Sequence, residues 1–91
     1  MTVTYYCSSV SSNLQMKKAQ QQIEMILDSK KIQYEKIDIA TSEDMKKKMR
    51  EMSGDPKALP PQLFNNSTYC GGYTEFMEAV EDENLNGFLK L

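Results

Sequence analysis

The chain opens on a short β-branched and aromatic run, Val3 to Cys7, which predicts a first strand. Ser8-Ser9-Val10-Ser11-Ser12-Asn13 then has the composition of a loop ending in a helix cap. Next the spacing changes: Leu14, Met16, Ala19, Ile23, Ile26 and Leu27 recur at three- and four-residue steps, with Gln20, Gln21, Gln22 and Glu24 on the other face. That pattern predicts a helix packing one side onto a sheet. Ile32, Tyr34, Ile37 and Ile39 give a second strand of near-alternating polarity, with Asp38 close to its end. Thr41 offers a hydroxyl cap and Glu43-Asp44 an acidic first turn for a second helix. This helix runs to about Ser53, where Gly54-Asp55-Pro56 stops it. Met45, Met49 and Met52 mark its inner face, and Lys46-Lys47-Lys48 reads as a solvated one. The chain's methionines, seven in all, read as adaptable core filling.

The segment from Ala58 to Tyr73 carries the most information. Pro60-Pro61 feeds an apolar run, Asn65-Asn66 supplies two turn residues that tolerate left-handed backbone, and Gly71-Gly72 permits a close turn. A third helix is predicted from Tyr73 to Glu81, and a short fourth segment carries Leu85, Phe88, Leu89 and Leu91. The order is β-α-β-α-β-β-α-α. A strand-helix-strand unit demands a parallel pair, and the closing hairpin adds an antiparallel one. The expected fold is α/β, a mixed four-stranded sheet flanked by helices in the thioredoxin-like arrangement.

Ninety-one residues with 40% apolar content predict one domain over residues 1–91. No window approaches the roughly 20 apolar residues of a membrane span, and a soluble, cytoplasmic monomer is the expectation. A formal net charge of -2, with the signs interspersed, provides no electropositive field for nucleic acid. The chain has no histidine, the commonest metal ligand and neutral-pH general base. Its two cysteines, Cys7 and Cys70, cannot close a zinc site or build a disulfide framework. No metal is expected, and both thiols should be reduced.

A group of motifs spread over nearly the whole length carries a resemblance. The opening strand and serine-rich loop, Lys31-Ile32-Gln33-Tyr34-Glu35, Asp38-Ile39 and Met49-Arg50 belong to it. So do Leu59-Pro60-Pro61-Gln62, Tyr69-Cys70-Gly71 with Tyr73 and Phe76, and Phe88-Leu89-Lys90-Leu91. In these the chain resembles the SH3-domain-binding glutamic-acid-rich-like protein family, a glutaredoxin-related branch of the thioredoxin-like fold. The resemblance implies a module that modulates glutaredoxin activity and acts through protein interactions in cytoplasm and nucleus, with no established chemistry of its own. In active glutaredoxins a Cys-x-x-Cys or Cys-x-x-Ser motif opens the first helix, whose N-terminus lowers the nucleophile's pKa. The corresponding positions here are Ser11 and Leu14. A serine hydroxyl forms no mixed disulfide with glutathione, and no histidine is present to activate it. Ser8 stands where a glutaredoxin often has lysine, and Thr74 where it often has an acidic residue.

What the resemblance leaves is a cradle. Pro61 matches the family's cis-proline, which would turn the backbone of Pro60 toward a substrate thiol. Gly71 and Gly72 match the pair that approaches glutathione. Such residues also serve turns with no ligand, so the cradle reads first as structural and second as a retained glutathione site. Cys7 reads as a buried filler of the first strand. Cys70, beside the glycines, is the better candidate for a reactive thiol. Two functions follow: a non-enzymatic module working through glutaredoxin-type or scaffold protein partners without a cofactor, and a weak single-thiol oxidoreductase or glutathione binder using Cys70 or Cys7. An SH3 ligand of PxxP form is absent, because Pro56, Pro60 and Pro61 lack that spacing.

Overall fold

The computed structural model describes residues 3–10 and 13–91. Along the chain lie β1 (Val3–Cys7), α1 (Leu14–Ser29), β2 (Tyr34–Asp38), α2 (Glu43–Ser53), β3 (Gln62–Asn65), β4 (Thr68–Gly72), α3 (Tyr73–Glu81) and α4 (Leu85–Phe88). A single 3-10 turn, Ile39–Thr41, joins β2 to α2. The four strands form one sheet in the order β2-β1-β3-β4. β1 runs parallel to β2 and antiparallel to β3, and β3 is antiparallel to β4. The mixed sheet and the element order are those the residue pattern predicts.

Strand alternation divides the core in two. Val3, Tyr5, Cys7 and Leu63 pack with Ile23 and Leu27 of α1, Phe76 of α3 and Leu85 of α4. Tyr6 and Phe64 face the other way, onto Met49, Ile39 and Ala58, with Met45 and Met52 around them. Tyr6 and Phe64 meet edge-to-face, with centroids 5.2 Å apart. With helices on both faces, β1 is buried along its whole length.

Local chemistry moves several boundaries. Thr41 lies in the 3-10 turn, its hydroxyl donating to the Asp38 carbonyl at 3.0 Å, and Ser42 is the cap of α2, accepting from the Met45 N–H. The hairpin turn is Asn66-Ser67, one residue later than expected: Asn66 takes the positive φ of 54°, while Asn65 ends β3 and is buried. Ile39 leaves the second strand for the 3-10 turn, drawn there by Asp38, whose carboxylate accepts from the Ala40 N–H at 2.9 Å. On α1, Leu14 is 64% exposed rather than packed, while Gln20, read as polar face, is 7% exposed. The methionines also divide: Met49 is fully buried, but Met25 is 64% exposed and Met16 lines a surface cleft.

Candidate functional site

The C-terminal ends of the parallel strands β1 and β2 share one edge of the sheet with the entry to β3, since Cys7 pairs with Asp38 and Tyr6 with Gln62. Crevices at such ends are where α/β sheets hold ligands. The loop leaving β1 is pinned on this edge from two sides. The Ser8 N–H donates to Gln20 Oε1 at 2.8 Å, and Gln20 Nε2 donates back to the Ser8 carbonyl at 3.1 Å. The Ser9 N–H donates to Asp38 Oδ1 at 3.0 Å, the oxygen that also holds Ala40. Hydrogen bonds from Ser9, and the one from Ala40, hold the Asp38 carboxyl below its ordinary range.

Across from this loop lies the proline corner, with a cis bond between Pro60 and Pro61. Between them is a cleft of about 230 Å³, walled by Ser8, Val10 and Met16 on one side and Leu59 and Pro60 on the other, with Ile39 and Lys46 also on its lining. A depression of about 300 Å³ adjoins it, sharing Val10, Ile39 and Lys46 and adding Glu43. Val10 is 79% and Leu59 58% exposed, although both are large and apolar. Lys46, predicted as part of a solvated run, is half-buried and lines both the cleft and the outer face of α2, whereas Lys47 and Lys48 are exposed.

Of the expected site residues the structure places Pro60 on this cleft, opposite Ser8, and the others that it describes lie off its lining. Ser11 lies outside the described residues. Pro60 and Pro61 are both buried, and the Pro61 carbonyl lies 3.4 Å from where a Cβ on Gly72 would stand. Gly72 pairs with Gln62 and Gly71 with Leu63, one strand beyond the cleft. Gly71, at φ 147°, faces the Phe88 ring: a Cβ there would come within 2.9 Å of Phe88 Cε1 and 3.0 Å of Glu75 Cβ. Gly71 is therefore accounted for by the protein's own packing.

Neither sulfur lines the cleft, and both cysteines are free. Cys7 is 3% exposed, its Sγ 3.6 Å from the Ile37 carbonyl, and burial pushes its thiol up to about 11, with Lys36 opposing the shift. Cys70 is partly exposed but packs on the α1–α3 side of the core, its Sγ 3.8 Å from the Thr68 carbonyl, with Lys90 among the groups acting on it. Burial raises its pKa as well. The sequence placed Cys70 beside the glycines. The pleat and the irregular register at Leu63/Phe64 instead direct it away from the cleft.

Sequence reasoning missed Gln20, Val10 and Lys46. A signal existed for the first, because Gln20 falls on the stripe Met16, Gln20, Ile23, Leu27, whose other members are apolar. Lys46 lies one turn before the buried Met49, at the margin of its stripe. Nothing in the pattern marks Val10, an isolated apolar residue among serines.

A larger depression, about 600 Å³, follows the outer face of α2, but Glu43, Asp44 and Glu51 balance Lys46, Lys47 and Arg50 along it. It is one charged helix face, with no convergent polar groups beneath it.

Comparison with known proteins agrees with the architecture. Among solved structures the chain is similar to the C. albicans actin interacting protein Aip5 (TM-score 0.78, 23% identity, 97% of this chain and 87% of that one). It is also similar to a buckwheat glutaredoxin–glutathione complex (TM-score 0.71, 15% identity, 97% of this chain and 76% of that one). At such identities the likeness establishes the fold, a glutaredoxin-like thioredoxin fold. In sequence the chain is 43% identical over 103 aligned positions to the SH3 domain-binding glutamic acid-rich protein homolog of Drosophila melanogaster. The alignment takes in all of this chain and 65% of that protein's length. The SH3-binding, glutamic acid-rich protein family matches over residues 1–91, and the chain belongs to that family.

Proposed function

We propose that this domain is a non-enzymatic glutaredoxin-like module that binds other proteins, modulating glutaredoxin-type systems or acting as a scaffold, in the cytoplasm and without a cofactor. One observation carries the reading: the cleft at the strand ends keeps an exposed apolar wall, while the chain's two cysteines lie outside it. A catalytic thiol has to be partly exposed and of lowered pKa. Cys7 and Cys70 both have raised values. The protein-binding names of the fly relative and of the actin interacting protein Aip5 agree with this direction.

The residues do not fit glutathione. Pro60 has no N–H to offer its backbone, and the space in front of Gly71 is taken by Phe88. Beside Gly72, the Gln62 amide is engaged by the Leu59 carbonyl and the Tyr69 hydroxyl.

The test is a glutathione-coupled disulfide-reduction assay of the parent protein beside Ser11→Cys and Cys70→Ser. No turnover by the parent is expected. Parent turnover that disappears in Cys70→Ser would make the domain a single-thiol oxidoreductase and overturn the reading.

A further inference from the structure

We infer that the cleft receives a protein segment presenting one bulky apolar side chain flanked by a carboxylate, with the apolar group against Val10 and Leu59 and the carboxylate at Lys46. This rests on the protein-binding reading above and specifies its partner. Size is the first argument. The cleft and its neighbouring depression, about 230 and 300 Å³, lie at or below the lower end of the roughly 300–1,000 Å³ that drug-sized ligands occupy. The two hollows share Ser8, Val10, Ile39 and Lys46, so neighbouring side chains of one peptide segment can occupy both.

Backbone chemistry is the second. Thioredoxin-like proteins expose chain at the proline corner, but here Pro60 and Pro61 have no N–H, and the Leu59 carbonyl already accepts from Gln62 Nε2 at 2.8 Å. Pairing a partner as an added strand needs a run of donors and acceptors. Recognition at this lip therefore falls to side chains.

Charge is the third. Among the described residues lining the cleft, Lys46 is the one that carries charge, and Glu43 joins only in the adjoining depression. The sole ion pair among the described residues is Lys36 with Glu24, at 2.8 Å, on another part of the surface. An ammonium beside an exposed apolar wall selects an anionic group next to an apolar one, and rejects a cationic group by like-charge repulsion.

The experiment is a titration of the 15N-labelled full chain with three capped tetrapeptides: glycine-leucine-glutamate-glutamate, the same with two lysines for the glutamates, and the same with serine for leucine. The first should shift the amides of Val10, Lys46 and Leu59, and the other two should leave them in place. Lys46→Glu should weaken the first peptide roughly fivefold or more, while Lys47→Glu, the same charge change on the exposed face of α2, should leave it near the parent value. Equal shifts by the acidic and basic peptides, equal losses in the two lysine variants, or unmoved cleft amides would each overturn the inference. Failure here leaves the absence of turnover standing, and turnover by the parent leaves this map standing, so the two readings fail separately.

Discussion

Gln20 clamps Ser8 by both of its backbone polar groups: Oε1 accepts from the Ser8 N–H at 2.8 Å and Nε2 donates to the Ser8 carbonyl at 3.1 Å. The amide does for the end of β1 what a neighbouring strand would do, at the point where the chain must leave the sheet. Gln20→Ala should cost about 1–2 kcal/mol in urea unfolding, because two partly buried backbone groups lose their partner. Gln20→Glu keeps the acceptor for the Ser8 N–H but sets a carboxylate oxygen against the Ser8 carbonyl, so at pH 7 it should cost at least as much as alanine. Hydrogen exchange at the Ser8 amide should quicken in alanine and far less in glutamate, while amides of β3 stay protected. Unchanged Ser8 exchange in Gln20→Ala would show that the clamp does not hold the lip of the cleft.

The fold was legible because each element announced itself locally. α3 has its expected bounds, Tyr73–Glu81, since a glycine pair precedes it and its apolar residues keep one face. Gly54, at φ 75°, stops α2 after Ser53 as its glycine signal indicated. The site was less legible because it depends on relations between distant segments. Gln20 has the composition of a surface residue, and only its two bonds to Ser8, 12 positions away, explain its burial. Lys46 belongs by sequence to a solvated run, and it becomes a cleft residue where α2 meets the loop after β1 and the proline corner, segments distant from it in the chain. Cys70 was misplaced for the opposite reason: nearness in sequence to Gly71 says nothing about the face to which a pleated strand directs its side chain.

The glycine pair should separate under substitution. Gly71 has φ 147°, and a Cβ there would come within 2.9 Å of the Phe88 ring, which is itself edge-to-face with Phe76 at 6.0 Å. Gly71→Ala should therefore destabilise by roughly 1–3 kcal/mol, from backbone strain and overpacking together. Gly72, at φ −102°, would place its Cβ no nearer than 3.4 Å, an ordinary contact, and Gly72→Ala should cost under about 1 kcal/mol. Thermal or urea unfolding of the two variants decides the matter. Equal losses would mean that the pair answers to something other than the Phe88 contact.

The thiols predict a pH dependence of definite sign. Burial raises the Cys7 pKa from 9.0 to about 11, so the fold favours the neutral thiol. That contribution is complete below about pH 9 and is lost as the pH climbs through about 11, the reverse of a depressed carboxylate. Stability measured by urea should decline across this window in the parent and decline less in Cys7→Ala, compared at equal starting stability. Iodoacetamide at pH 8, read by mass spectrometry, should modify Cys70 slowly and Cys7 only once denaturant opens the core, since the thiolate is the reactive species. Rapid native labelling of Cys7 would contradict its burial.

Asn65 ties the C-terminal segment to the sheet. Its Nδ2 donates to the Leu89 carbonyl at 2.8 Å and to the Lys90 carbonyl at 3.0 Å, and Leu89 beside it is fully buried in the core. Lys90 sits at φ 58°, so backbone hydrogen bonding alone does not continue the helix there, and a side chain from β3 supplies the partner instead. Asn65→Ala should destabilise by about 1–3 kcal/mol, because two carbonyls near the core lose their donor. Asn65→Asp should be at least as damaging at pH 7, since a carboxylate has no proton to donate and faces both carbonyl oxygens. Exchange should quicken first at the Leu89 and Leu91 amides, which bond to the Leu85 and Asn86 carbonyls. If Leu89 kept its parent protection in both variants, α4 would be held by its apolar contacts and its own backbone hydrogen bonds, and the two bonds from Asn65 would be incidental to it.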